Sequence, residues 1–234
     1  MEFFAYMTNY MSSEFESVRD LKQGPRGQVR LMRHNDTGRA YVFRQFQGDA
    51  GVYRRLLDIS CPHLPQIMEV AEQEGTVAVL EEYVQGETIA QLLEEALFTP
   101  REVRQIGRQL CLALSVLHGL GAVHRDIKPE NVILRASGAV LIDFDASRMI
   151  KDHQESDTRI LGTTGYAAPE QYGISQTDGR ADIYALGVLM NVMLTGQHPS
   201  VALAGGRLGR IISRCTMMSP QKRYASVEEL MRVL

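Results

Sequence analysis

Apolar residues recur at alternate positions along the first third of the chain. Val29-Arg30-Leu31-Met32-Arg33 and Ala40-Tyr41-Val42-Phe43-Arg44-Gln45-Phe46 both read as strands, and Asn35-Asp36-Thr37-Gly38 turns between them. Thr76 to Leu80 predicts a third strand, and Gly51 to Ile59 leaves room for only a short helix. From Thr88 the period becomes helical. Thr88 with Gln91 forms a capping box ahead of Ile89, Leu92, Leu93 and Ala96. Thr99-Pro100-Arg101-Glu102 is a stronger start: Thr99 caps, Pro100 suits the first helical position and Glu102 reaches back. Val103, Ile106, Leu110, Leu114 and Leu117 then share one face, and Gly119 and Gly121 end the helix. Asp182 to Thr195 is apolar nearly all round, which predicts a buried helix ended by Gly196. Ser226 with Glu229 caps a last short one. The pattern therefore predicts an α+β chain with two parts, a β-rich lobe over residues 1–84 and a helical lobe over 85–234, hinged near Tyr83 to Gly86.

Composition narrows the class. With 44% hydrophobic and 23% charged residues in 234, the chain is neither disordered nor collagen-like. A net charge of -3 gives no general attraction to nucleic acid or an anionic membrane, and neither is expected as a partner. Cys61, Cys111 and Cys215 form no zinc spacing and no disulfide framework, which suits a reducing cytoplasm. The apolar start MEFFAYMTNYMSSEF carries Glu2 where a secretory signal needs a cation, and no cleavage pattern follows. The run Ile183 to Leu194 is too short to span a bilayer.

The informative chemistry lies between His124 and Asp143. Asn131-Val132-Ile133-Leu134 and Ala139-Val140-Leu141-Ile142 are short apolar strands around Ser137-Gly138, so they form a hairpin. That hairpin sets Asn131 beside Asp143, two oxygen donors suited to Mg2+. Asp126, on the loop leading in, can accept a proton, and Lys128 can face a phosphate. One base, two metal ligands and one cation suit phosphoryl transfer. Taken singly, each of these residues reads better as a solvated loop residue, but the four at this spacing do not.

His124-Arg125-Asp126-Ile127-Lys128-Pro129-Glu130-Asn131 resembles the catalytic loop of Ser/Thr protein kinases. Asp143-Phe144-Asp145 resembles their DFG motif with its Gly replaced. Gly162 to Glu170 resembles the end of their activation segment, A-P-E included. The resemblance runs from about residue 14 to near the end of the chain. Its Pro-Glu-Gln ending and compact size look most like the Hanks-type kinases of bacteria, in a minimal form. It implies a bilobal kinase-like fold with a short or absent αC helix and a reduced helical C-lobe.

The resemblance also implies roles. Asp126 would be the base, Lys128 would steady the γ-phosphate, and Asn131 and Asp143 would hold Mg2+. ATP would lie between the lobes, with adenine between Val29 and Val42 on one side and Ile133 on the other, and backbone contacts at Glu82 and Val84. Thr163 would help seat the target residue. Arg125 would dock a phosphorylated activation-segment residue, for which Ser156, Thr158 and Thr164 are candidates, although all three also fit an unmodified polar loop. Asp182 would brace the catalytic loop, and Arg223 would pair with Glu170.

The small lobe departs from the family pattern. Lys22-Gln23-Gly24-Pro25-Arg26-Gly27-Gln28-Val29 keeps Gly24 and Gly27 of the glycine-rich loop but has Lys22 for its first Gly; two glycines fit an ordinary hairpin turn as well as a phosphate cradle. The strand Lys becomes Arg44, and the helix Glu that pairs with it falls on Val52. Glu81 stands deep in the expected pocket, where the family places an apolar residue or Thr. Arg44 is expected to pair with Glu81 instead, because an unpaired buried cation is costly and the guanidinium fork can grip a carboxylate with two bonds. Between Pro199 and Arg210 there is too little chain for the usual substrate-docking helix. These features leave three readings: an active ATP- and Mg2+-dependent Ser/Thr protein kinase acting on a protein substrate or dedicated partner, a pseudokinase scaffold, and a small-molecule phosphotransferase. The sequence leaves the oligomeric state open.

Overall fold

The computed structural model describes residues 2–24, 27–150, 165–172 and 177–234. The chain divides into two compact units, residues 1–61 with 65–84, and residues 62–64 with 85–234.

The first unit is built on a five-stranded antiparallel sheet. It opens with helix α1 (Glu2–Glu14), which the sequence reading did not anticipate, and continues with β1 (Phe15–Gly24), β2 (Gly27–His34), β3 (Ala40–Gln47), helix α2 (Gly51–Leu56), β4 (Ile67–Gln73) and β5 (Thr76–Glu82). The strand order is β1-β2-β3-β5-β4. Alternation along β3 and β5 sends side chains to two faces, and both faces are covered. On one face Met7 and Met11 of α1 pack with Phe15, Met32, Phe43, Ala71, Ala78 and Leu80. On the other, Val52, Tyr53 and Leu56 of α2 are buried, with the Tyr53 ring 5.7 Å from that of Phe46. β1 is a charged edge strand whose register shifts twice against β2, a pattern that discourages further strand pairing. Helix α2 is six residues long, in keeping with the short helix expected. Asp49 Oδ1 accepts from Gly51 N at 2.6 Å at its start, and Arg54 pairs with Glu72 of β4 at 3.0 Å.

The second unit is mostly helical. β6 (Glu87–Thr88), α3 (Ile89–Glu95) and α4 (Pro100–Gly119) are followed by β7 (Ala122–Val123), the hairpin β8 (Val132–Arg135) and β9 (Gly138–Leu141), and β10 (Arg148–Met149). Then come α5 (Gly179–Thr195), α6 (Gly206–Cys215) and α7 (Val227–Val233). Both capping boxes form as the sequence implies, at Thr88 with Gln91 and at Thr99 with Glu102. Helix α5 is buried along nearly its whole length and ends at Gly196 with φ 70°. It begins three residues before Asp182, because Asp178 caps it by accepting from Arg180 N at 2.9 Å.

Residues 196–205 contain no helix, and the loop is organised from beneath by Asn191 of α5, which is fully buried. Its Nδ2 donates to the carbonyls of Gln197 and Ala202 at 2.8 and 2.7 Å, and its Oδ1 accepts from Ala204 N at 2.9 Å. Among the described residues, no helix is long and apolar enough to cross a membrane.

Candidate active site

In the second unit, the 3-10 turn Pro129–Asn131 and the strands after it bring three of the expected residues together. Lys128 Nζ lies 2.8 Å from Asp126 Oδ2. Asn131 Nδ2 donates to Asp126 Oδ2 at 2.9 Å and to the Asp126 carbonyl at 2.8 Å. The Asp126 carboxylate is thus held by two donors, and Asn131 Oδ1 is the amide atom with lone pairs to offer.

The hairpin register differs by one residue from the expectation. Val132 faces Leu141, and Ile142 N donates to the Asn131 carbonyl at 2.9 Å, so Asn131 lies opposite Ile142 rather than Asp143. The reason is the turn: it falls at Ala136-Ser137, with Arg135 facing Gly138 in the ladder, one residue earlier than the expected Ser137-Gly138, and the turn fixes the register of a hairpin. Asp143 follows directly, at φ 69°, an unusual conformation for a non-glycine residue, and its Oδ1 accepts from Asp145 N at 3.4 Å. Strained backbone of this kind is found most often at functional sites. Among the described residues no three His, Cys, Asp or Glu side chains gather as a metal cage. One amide and one carboxylate suit Mg2+, which keeps water and phosphate in most of its coordination positions.

The loop that carries Asp126 is braced by Asp182. Its carboxylate is fully buried and accepts from His124 N at 2.9 Å, from Arg125 N at 2.8 Å and from His118 Nε2 at 2.9 Å. Burial pushes the Asp182 carboxyl up, but the hydrogen bond from His118 and the charges around it outweigh this and hold it below the ordinary carboxylate range. Burial pulls His118 down, yet Asp182 with Glu228 and Asp178 raises it overall. His124 is completely buried, its ring 5.5 Å from Phe144, and desolvation lowers its pKa. Arg125 is buried at φ 69°, and its carbonyl accepts from Gln171 Nε2 at 3.0 Å. Gln171 Oε1 in turn accepts from Ala168 N at 2.9 Å, which ties the Ala-Pro-Glu turn to the loop that carries Asp126.

Arg223 grips Glu170 with both nitrogens, Nη1 to Oε1 at 2.6 Å and Nη2 to Oε2 at 2.8 Å. Its guanidinium lies 4.9 Å from the Tyr184 ring centre. Ser156, Thr158, Gly162, Thr163, Thr164, Pro25 and Arg26 lie outside the described residues.

In the first unit, Arg44 and Glu81 form the expected pair. Nε and Nη2 of Arg44 both donate to Glu81 Oε1, at 3.0 and 2.7 Å, and both side chains are about 95% buried. The register explains the meeting: Arg44 faces Val79 and Glu81 faces Val42, so the two are diagonal neighbours on one sheet face. Val42 and Val84 are buried, while Val29 and Glu82 of this unit and Ile133 of the other are half-buried. Gly27 has a local reason to be glycine, since a Cβ there would come 2.1 Å from the Gln45 carbonyl, whereas Gly24 meets nothing within 4 Å. Burial pushes the Cys111 thiol up to about 12 and Cys215 upward as well, so neither is a reactive thiolate.

His118, Asn191 and Tyr53 carry no functional signal in the sequence, and Gln171 appears there only within the Pro-Glu-Gln ending. His118 and Gln171 act on backbone or carboxylate partners far away in sequence, and no spacing rule connects them.

The protein kinase domain family matches this chain over residues 15–232, and the chain belongs to that family. Among curated proteins it is 30% identical over 237 aligned residues to ribosomal protein S6 kinase alpha-2 of Mus musculus and to ribosomal protein S6 kinase alpha-6 of Homo sapiens. Human ribosomal protein S6 kinase alpha-1 is 29% identical. Each alignment covers 95% of this chain but only 32% of the relative, so the chain spans about a third of their length.

Proposed function

We propose that the chain is a Ser/Thr protein kinase that transfers the γ-phosphate of Mg-ATP to a protein hydroxyl. The observation that carries this reading is the joint placement of Lys128 Nζ and Asn131 Nδ2 on Asp126, at 2.8 and 2.9 Å. A carboxylate held this way is oriented toward an incoming hydroxyl, and its contact with the hydroxyl proton makes the oxygen a better nucleophile. The Lys128 ammonium sits where it can shift between Asp126 and a γ-phosphate oxygen. Asn131 and Asp143 are the ligands proposed for Mg2+, which would neutralise phosphate charge in the transition state.

From the first unit, Arg44 is the proposed α- and β-phosphate cation, with Gly24, Gly27, Val29, Val42, Glu81, Glu82 and Val84 as further nucleotide residues. From the second, Lys128, Ile133 and Asp143 are proposed to contact the nucleotide. Residues 1–84 are read as the nucleotide-binding lobe and 85–234 as the catalytic lobe. A cytoplasmic protein substrate or dedicated partner is the proposed acceptor, recognised through the segment ending at Glu170, in which Thr158 and Thr163 are the proposed regulatory and seating residues.

The departures at Lys22, Arg44, Val52 and Asp145 favour a second reading, a nucleotide-binding scaffold without turnover. A scaffold, however, has no chemical use for Asp126, Lys128, Asn131 and Asp143 together. Radiolabel transfer from ATP to the chain itself or to a mixed lysate, with and without Mg2+, separates the two. Mg2+-dependent labelling of protein supports the kinase, and ATP binding with no labelling supports the scaffold.

A further inference from the structure

Arg44 has a third neighbour in the first unit. Its guanidinium carbon lies 5.8 Å from the centre of the Tyr53 ring, on helix α2, and Tyr53 is completely buried. The helix sequence Gly-Val-Tyr-Arg-Arg-Leu contains no carboxylate. It meets the cation with an aromatic face, whose negative quadrupole attracts a guanidinium most strongly away from water. Glu81 holds the same guanidinium from a neighbouring strand at 2.7 and 3.0 Å.

We propose that Tyr53 is a positioning residue for Arg44, so that strand carboxylate and helix ring together set the phosphate-facing cation before any nucleotide arrives. The inference rests on the nucleotide reading above and deepens it.

Three observations lead to it. The helix carries Val52 at the place of the family's pairing Glu and has no carboxylate elsewhere, and its buried aromatic ring lies against Arg44 and Phe46. The pair with Glu81 comes from a strand, so the cation does not depend on a carboxylate delivered by a moving helix. The helix is itself tied to the sheet through Arg54 and Glu72, and the carbonyl of Leu57 just after it accepts from Gln66 Nε2 at 3.2 Å. A cation fixed in this way is preorganised, and preorganisation lowers the ordering cost of binding phosphate.

The test uses the full chain and two probes, ATP and adenosine, with dissociation constants measured by calorimetry in Mg2+. Adenosine lacks the phosphates, so the ratio of the two affinities reports the phosphate cation and is insensitive to general loosening. Tyr53→Leu should lower ATP affinity about five- to thirtyfold, the range from a partly to a fully desolvated cation–π contact, with adenosine affinity unchanged. Tyr53→Phe keeps the ring and should hold the ratio within about twofold of the parent, since the quadrupole belongs to the ring. Tyr53→Met, which fills the space without a ring, should behave as Leu does and takes its place where the Leu chain does not fold. A ratio that Arg44→Ala abolishes but the Leu and Met variants leave intact overturns the inference alone. A parent chain that binds ATP no better than adenosine overturns the nucleotide reading, and the inference with it.

Discussion

Arg44 on β3 and Glu81 on β5 meet diagonally across paired strands, with two donors of the guanidinium on the single oxygen Oε1. Both side chains are almost fully buried, so neither partner can turn to water when the other is removed. Glu81→Ala is therefore expected to cost about 3–5 kcal/mol of stability, the range for orphaning a buried charge. The double variant Arg44→Met with Glu81→Leu should recover most of that loss, because an apolar pair of similar volume avoids the desolvation penalty. Urea melts of the three chains check this; a Glu81→Ala chain as stable as its parent would show that the pair is not held in solution.

Arg44→Lys keeps the charge but not the fork. A lysine ammonium cannot place two donors in the fixed plane that meets Glu81. The substitution should weaken ATP use rather than restore it, even though Lys is the residue the family pattern has at this place. Steady-state kinetics against ATP concentration read the effect, and a rise in activity would contradict it.

Arg223 and Glu170 join the Ala-Pro-Glu turn to the chain just before α7, with Arg223 side-chain exposure of 0%. Glu170→Ala should destabilise the second unit by about 3–5 kcal/mol, since it leaves the buried guanidinium without its carboxylate. Glu170→Gln should cost less, because the amide oxygen still accepts one hydrogen bond. A thermal melt of both variants tests the order, and equal losses would contradict it.

Much of the second unit is legible in the sequence because its signals are local. Thr88 with Gln91 and Thr99 with Glu102 announce their helices, and both boxes close. The first unit was harder to read. β1 has nine exposed residues after Phe15, so its pairing with β2 leaves no apolar alternation to see. Helix α1 packs Met7 and Met11, with Phe4 partly buried beside them, on a sheet surface formed by residues up to Leu80, so its worth depends on residues distant in sequence. The hairpin register differs from the expected one because the strands turn at Ala136-Ser137, while Gly138, the residue that looks like a turn former, is the first residue of β9. Arg44 with Glu81 is readable because Arg44 lacks its family partner at Val52 and Glu81 stands where the family has no charge, so each needs the other.

His118 and Asp182 make stability depend on pH. The His118 pKa is raised in the folded chain above its ordinary 6.5, by Asp182 with help from Glu228 and Asp178. The folded state then binds more protons, so this contribution is complete below the unfolded value and is lost as pH rises through the folded one. Buried His124 runs the other way: its lowered pKa makes the fold lose stability as pH falls below the ordinary histidine value. His118→Gln should remove the alkaline loss and leave the acid-side loss in place. Denaturation midpoints across the neutral range read both arms, and an unchanged alkaline slope in the variant would contradict the assignment.

The most direct test of the kinase reading separates binding from turnover at Asp126. A positioned base acts in the transition state far more than in the ground state. Asp126→Asn should therefore abolish Mg2+-dependent phosphate transfer while ATP affinity, measured on the same preparation, stays within a few-fold of the parent. Phosphate transfer by Asp126→Asn at the parent rate would contradict the account.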